Sequence, residues 1–239
     1  MIIDDKFARL LKSVHCLLKK EFLLTGDGSY TIYLPEMEET YHSRNGAIAE
    51  SDHVFIRNGL SLFAAKPEIR VLEIGWGTGL NSLLAWFWAL ENNRKLEYLA
   101  LEPNPLSNLE WQSLNYGQCI NNGYAEEFFL RVHRLPWEEN HQLHQLFAFK
   151  KTKTEIEKSE LPNESVDLIF YDAFAPKKQP EMWRREIFVN CYQWLSKGGI
   201  LTSYCANGQF KRDLKSVGFS VENPKGPFGK REMTVAYKN

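Results

Sequence analysis

The chain has 239 residues, 44% of them apolar and 25% charged, and a formal net charge of −1. That length suits one large α/β domain with a small addition, and the composition is that of a globular protein rather than a disordered one. A charge this close to zero excludes nucleic-acid binding through a global field and leaves only a local basic patch for that purpose.

The four cysteines, Cys16, Cys119, Cys191 and Cys205, show no CxxC spacing. That argues against a zinc knuckle or redox pair and points to a reducing compartment. The start, MIIDDKFARLLKS, has early acids and no long apolar run, unlike a signal peptide, and the apolar stretch 80–90 is too short to span a bilayer. The expectation is a cytoplasmic protein with no membrane partner.

In chain order, residues 5–20 place Phe7, Leu10, Leu11, Val14, Leu17 and Leu18 at helical spacing. TGDGSYTIYLPE (25–36) alternates like a hairpin turning at Gly26, Asp27 and Gly28, and 47–60 reads as a helix. Residues 1–60 are therefore expected to form a helix and hairpin extension packed on a core domain, 61–239.

In that domain strands and helices alternate. RVLEIG (70–75) is a strand and 80–92 a helix; LEYLALE (96–102) is a strand and 106–116 a helix. FFLRVH (128–133) reads as the third strand, followed by a polar stretch with a hairpin at LFAFKKTKTEI (146–156). VDLIFYD (166–172) is a strand, 180–195 a helix, GGILTSYC (198–205) a strand and 208–217 a helix. FSVEN (219–223) and MTVAYK (233–238) close the chain as two short strands.

Alternation of this kind implies a parallel sheet covered by helices on both faces. The last two strands are joined by the short, Gly/Pro-rich PKGPFGKRE, so the final one should run antiparallel. Seven strands with an antiparallel last member resemble the Rossmann-like class I S-adenosylmethionine-dependent methyltransferase fold.

The turn after the first of these strands reads VLEIGWGTGLN (71–81). A dinucleotide fingerprint needs its third glycine where Leu80 stands, and a P-loop needs G-K-[ST] where Gly79, Leu80 and Asn81 stand. The pattern is E-x-G-x-G-x-G, with Glu73 ending the strand and Gly75, Gly77, Thr78 and Gly79 forming the loop. An acid there repels a pyrophosphate and suits the ammonium of a methionine moiety. Glu102 follows about 23 residues after Gly79, near the spacing of a ribose-binding acid. The alternative, a Gly-rich turn with no ligand, is weakened because both acids sit at strand C-termini, where such sheets bind ligands.

YDAFAPKKQPEMW (171–183) puts Asp172 at the same sheet edge, where a carboxylate accepts an acceptor amine's N–H and orients its lone pair. Phe174 and Trp183 offer rings that stack on a base or steady a cation, and Phe174 also suits a core position. This segment resembles the signature of the tRNA (5-methylaminomethyl-2-thiouridylate) methyltransferase family, the standalone MnmD relatives of the methyltransferase half of bifunctional MnmC. TGDGSYTIYLPEMEETYHSRNGAIAESDHVFI, LEIGWGTGLN and GKREMTVA resemble that family too, so the likeness spans roughly residues 22–237.

The resemblance implies methylation by S-adenosyl-L-methionine of the primary amine of 5-aminomethyl-2-thiouridine at the tRNA wobble position. It implies that Glu73, Gly75, Gly77 and Glu102 bind cofactor, with Thr78, Gly79 and Asn81 in the same loop, and that Asp172 meets the amine. The chain has no second Rossmann fingerprint, so no flavin is expected, and precursor-forming tRNA modification enzymes must supply the amine. The adenine contact falls to Pro136, Trp137 or Glu138 in HRLPWEENHQ (133–142), with Trp137 the stacking candidate.

Tyr41, His42, Ser43 and Asn45 form a polar cluster that lies over the cofactor pocket in the family, and Tyr33 faces either that pocket or the hairpin's own packing. His141 and His144 lack a third ligand, so no metal is expected. Lys177, Lys230 and Arg231, with Lys178 and Lys225, suit a positive rim for the phosphates of a tRNA anticodon stem-loop. The rival readings are a methyltransferase of a small-molecule amine and a non-catalytic tRNA-binding relative.

Overall fold

The computed structural model describes residues 19–239, so nearly all of the helix expected over 5–20 lies outside the described residues. The hairpin is present: β1 (Glu21–Leu24) pairs antiparallel with β2 (Tyr30–Leu34), and β3 (Glu39–Thr40) adds to β2. Asp27 builds its turn, accepting from the Thr25 hydroxyl (2.8 Å) and the Ser29 N–H (3.1 Å). Its other oxygen accepts the Ala49 N–H (2.9 Å), which ties the turn to the start of α1 (Ala47–Ser51). The chain continues through a π-helical turn (Asp52–Arg57) and a 3-10 turn (Leu60–Phe63) into the main domain.

The main sheet has eight strands. At its centre β4 (Glu68–Ile74) lies between β5 (Lys95–Leu101) and β8 (Val166–Tyr171), all parallel. β9 (Leu195–Ser203) extends the sheet beside β8, and β7 (Phe147–Thr152) extends it beside β5, again in parallel. Beyond β9, β11 (Thr234–Tyr237) runs antiparallel, followed by β10 (Ser220–Glu222). The reversal expected for the last strand is there. On the opposite edge β6 (His141–His144) pairs antiparallel with β7, the eighth strand that the seven-strand expectation lacked.

One assignment is corrected. Residues 128–133 are not a strand but the middle of α5 (Ala125–Arg134), reached through α3 (Asn108–Gln112) and α4 (Tyr116–Cys119) after the long α2 (Leu80–Asn92). The buried positions of α5 are Ala125, Phe128, Phe129, Val132 and His133, which is helical spacing once Ala125 is counted. The third parallel strand is β7, part of the stretch read as a polar hairpin. Its polarity misleads because Lys151 is fully buried there. The Lys151 ammonium donates to the carbonyls of Val132 and His133 at the C-terminus of α5 (2.8 Å each) and lies over the rings of Trp76 (4.8 Å) and Trp137 (4.6 Å). Burial, then the Lys153 charge, lower its pKa to about 8.

Both sheet faces are covered. One carries α2, α5 and the turns after α1, with Trp86 stacked on Phe128 at 4.0 Å between centroids. The other carries α6 (Arg185–Trp194) and α7 (Gly208–Val217), whose Ile187, Phe188, Phe210 and Leu214 are buried against Leu72, Ile169 and Leu201. Each such side chain contributes about 1.5–3 kcal/mol on burial. The carboxyl ends of β4, β5, β7, β8 and β9 therefore emerge along one edge of a rigid layer.

Candidate cofactor and acceptor site

The glycine loop leaves β4 at that edge. Gly75 has φ +88°, and a Cβ there would lie 2.6 Å from the Asp172 carbonyl oxygen, so only glycine lets β4 and β8 diverge this closely. The N–H groups of Gly75 and Trp76 both donate to the Leu101 carbonyl (3.0 and 3.2 Å), fixing the loop against β5. A side chain at Gly77 would meet the Tyr41 ring at 3.1 Å.

Thr78 is held from two sides. Its hydroxyl shares a hydrogen bond with His42 Nε2 (2.7 Å), and its carbonyl accepts from His133 Nε2 (3.1 Å). Burial lowers the His42 pKa to about 4, and burial followed by the Lys151 charge lowers that of His133 to about 3. Both imidazoles are neutral at physiological pH, so they act as fixed dipoles. His133 is also stacked on Trp111 at 4.8 Å.

Three acids follow different rules. Glu102, just past β5, accepts the Gly77 N–H on one oxygen and the Asn104 N–H on the other, both at 2.8 Å. Each oxygen keeps lone-pair capacity for a further donor. Burial raises its pKa and the two backbone bonds oppose the rise. Glu73 is fully buried, accepting from Asn81 Nδ2 (2.9 Å) and the Tyr98 hydroxyl (2.8 Å), and burial pushes its pKa well above the usual range. Asp172, half-buried at the end of β8, accepts from the same Asn81 Nδ2 (2.8 Å). Burial lifts its pKa to about 7, with the Asn81 bond pulling the other way, Glu50 adding to the rise and Lys230 opposing it. A single amide thus bridges two carboxyl groups.

Glu102, Asp172 and the glycine loop open onto one cleft of about 1870 Å³. Of the residues singled out from the sequence, Gly75, Gly77, Thr78, Glu102, Asp172, Phe174, Tyr33, Tyr41, His42 and Lys230 line it together. Tyr41 sets its edge against Phe174 at 5.0 Å. Glu73, Gly79 and Asn81 lie beneath the floor, buried from solvent. Trp137 is not on the wall; it packs edge-on against Trp76 (5.7 Å) under Lys151 and Lys153. Lys177 and Arg231 are exposed outside the cleft, and it is their neighbours Lys178 and Lys230 that line it. Trp183 is core, donating to the Phe174 carbonyl (2.7 Å).

Sequence reasoning missed Tyr98, His133, Glu50 and Tyr204. Glu50 is buried and pairs with Lys230 at 2.6 Å, and the Lys230 ammonium lies 4.4 Å over the Tyr204 ring. Tyr204 had a signal, since it directly follows β9 at the carboxyl edge. The reassigned third strand also moves the expected adenine side: the residues after β7, Lys153, Thr154 and Ile156, line the cleft, whereas those after 133 do not.

The donor set fits a nucleoside joined to an amino acid rather than a phosphate ester. An acid with spare acceptor capacity stands beside a glycine loop whose neighbourhood is carboxyl-rich. A mostly parallel sheet in which β11 is reversed, carrying this loop at the carboxyl end of its central β4, is the class I methyltransferase fold. Residues 122–239, just under half of the chain, match the family described as S-adenosyl-L-methionine-dependent methyltransferase.

The chain is similar to the tRNA 5-methylaminomethyl-2-thiouridine biosynthesis bifunctional protein MnmC of Cupriavidus metallidurans, at 30% identity over 230 residues, covering 90% of this chain and 33% of that protein. The MnmC of Marinomonas sp. is also 30% identical, over 85% of this chain and 32% of its own length. The chain thus spans about a third of these curated relatives. The crystal structure of MnmC2 from Aquifex aeolicus superposes with a TM-score of 0.76 at 25% identity, covering 99% of this chain and 78% of that one. Among the described residues, no helix is long and apolar enough to cross a membrane.

Proposed function

We propose that the chain methylates the primary amine of 5-aminomethyl-2-thiouridine at the wobble position of tRNA, giving 5-methylaminomethyl-2-thiouridine. It does so in the cytoplasm, on an amine supplied by upstream tRNA modification enzymes. The similarity to the MnmC proteins supports the substrate. The observation that carries the chemistry is Asp172: a carboxyl at the cleft floor, against the glycine loop, with a pKa of about 7.

When bound, S-adenosylmethionine supplies an electrophilic methyl group. Glu102 would hold the ribose hydroxyls through its spare lone pairs, Lys153, Thr154 and Ile156 would border the adenine, and Gly75 and Gly77 would admit the cofactor to the backbone. Asn81 and Glu73 act from below, orienting Asp172. An Asp172 carboxylate oxygen accepts the amine proton and leaves the nitrogen lone pair free, and a base poised near neutrality suits that step. Tyr41, Phe174 and Tyr204 exclude water and present ring faces to a cationic amine. Lys230, Arg231 and Lys177 face RNA phosphates.

The test is transfer of a labelled methyl group from S-adenosylmethionine to tRNA bearing 5-aminomethyl-2-thiouridine, read by nucleoside mass after digestion, beside an Asp172→Ala control. Methylated nucleoside that disappears in the control is expected. Intact cofactor binding without product would refute the substrate.

A further inference from the structure

The loop between β10 and β11 carries a feature that methyl transfer does not use. Phe228 is 83% exposed, the most exposed of the large apolar side chains among the described residues, yet its immediate N-terminal neighbours Gly226 and Pro227 are buried. The ring does not stand on a slack tip. The Lys230 N–H donates to the Pro227 carbonyl (2.8 Å), closing a turn around Phe228 and Gly229, and Gly229 takes the φ of +85° that the third position of such a turn favours.

The turn is also pinned to the hairpin side of the cleft. Asn45 Nδ2 donates to the Phe228 carbonyl (3.3 Å), and His53 Nε2 donates to that of Lys225 (2.8 Å). An unconstrained loop could fold an apolar ring inward, whereas this one holds it out.

Its position is equally specific. Asn45 follows Arg44, which lines the cleft, and Lys230, two residues after Phe228, lines it as well. The turn that carries the ring therefore lies beside two wall residues of the cleft. Arg44 caps the ring of Tyr33, another wall residue, at 4.9 Å. Residues 223–231 contain Lys225, Lys230 and Arg231 and no acid, and Lys225 and Arg231 are exposed. An exposed ring set among cations beside a cleft is complementary to a nucleobase with its phosphates.

We infer that Phe228 is a stacking platform for a nucleobase next to the one that enters the cleft. This rests on tRNA being the acceptor. A base that leaves the anticodon stack to reach Asp172 exposes a π-face on its neighbour, and Phe228 covers that face while Lys225 and Arg231 hold the adjoining backbone. The partner surface is single-stranded loop RNA rather than duplex, because a stacked helix offers no free base face.

The experiment measures the binding of an anticodon stem-loop RNA by anisotropy across a salt series, for wild type, Phe228→Ala, Phe228→Trp and Lys225→Ala/Arg231→Ala. Phe228→Ala is expected to weaken binding about tenfold, or about 1.4 kcal/mol, at every salt concentration, with the salt slope unchanged. Phe228→Trp is expected to bind at least as well as wild type, and the double cation variant to flatten the slope by about two. Since the ring is exposed, folding is not at risk, and matching melting curves check this. Binding by Phe228→Ala equal to wild type would overturn the stack while leaving the tRNA reading intact. Wild-type protein that neither binds nor methylates tRNA would overturn that reading, and this inference with it.

Discussion

Asn81→Ala removes the one amide that joins Glu73 to Asp172. A hydrogen bond to an ionised carboxylate contributes about 1.5–3 kcal/mol, equivalent to about one to two pKa units at 1.36 kcal/mol each. Asp172 borders an open cleft, where water replaces part of the lost bond, so the lower end applies and its pKa should rise by about one unit. Starting from about 7, the carboxylate fraction at neutral pH falls from about half to about a tenth, and activity there falls about fivefold. In the proposed mechanism the carboxylate is the proton-accepting form, so the acid limb of kcat/KM moves upward by the same unit.

The assay is kcat/KM for methyl transfer from about pH 6 to 9. The substrate amine titrates identically with every variant, so its share cancels. Tyr98→Phe is the control: it takes away Glu73's other partner without touching Asp172. It should lower the melting temperature and leave the limb in place. An acid limb that stays put in folded Asn81→Ala would refute the bridge as the group that tunes Asp172.

Gly75→Ala forces a Cβ to 2.6 Å from the Asp172 carbonyl at a φ of +88°, adding about 1–2 kcal/mol of left-handed strain to the clash; calorimetry should show cofactor binding lost, and a normal Kd would contradict the geometry. Asp172→Asn should stabilise the fold at high pH. The Asp172 pKa is raised from 3.8 to about 7, so stability falls as pH rises from about 4 to 7 and the cost is complete above that. Allowing for its open side, the gain is on the order of 1–2 kcal/mol, a few degrees in Tm at pH 8 that vanish towards pH 4. Lys151→Met keeps the stem but leaves the Val132 and His133 carbonyls without their donor. It should cost about 1–3 kcal/mol, read as a lower denaturation midpoint.

Much of the cleft was legible because its chemistry sits at strand ends. Glu73, the glycines, Glu102 and Asp172 each terminate or follow a β-run, and in an open α/β sheet that alone brings them to one edge. The error over 128–133 has an equally local origin. Phe128, Phe129 and Val132 fit a short strand until Ala125 and His133 are added, and then the spacing is helical. Phe147 and Phe149 alternate correctly, but Lys151 hid the strand, since a lysine reads as exposed unless two helix-end carbonyls and two indole rings are known to surround it.

The amino-acid sequence by itself determined the alternating architecture, the reversed last strand, and the placing of the glycine loop, Glu102 and Asp172 at one sheet edge. These follow from periodicity and from residue types at fixed spacing. Only the tertiary structure decided that Glu73 lies under the floor rather than on it, that Asn81 links it to Asp172, that two neutral histidines clamp Thr78, and that Phe228 is held outward. Each of these depends on which side chain from a distant segment arrives at a given atom, and on how much water it displaces. No local pattern encodes either.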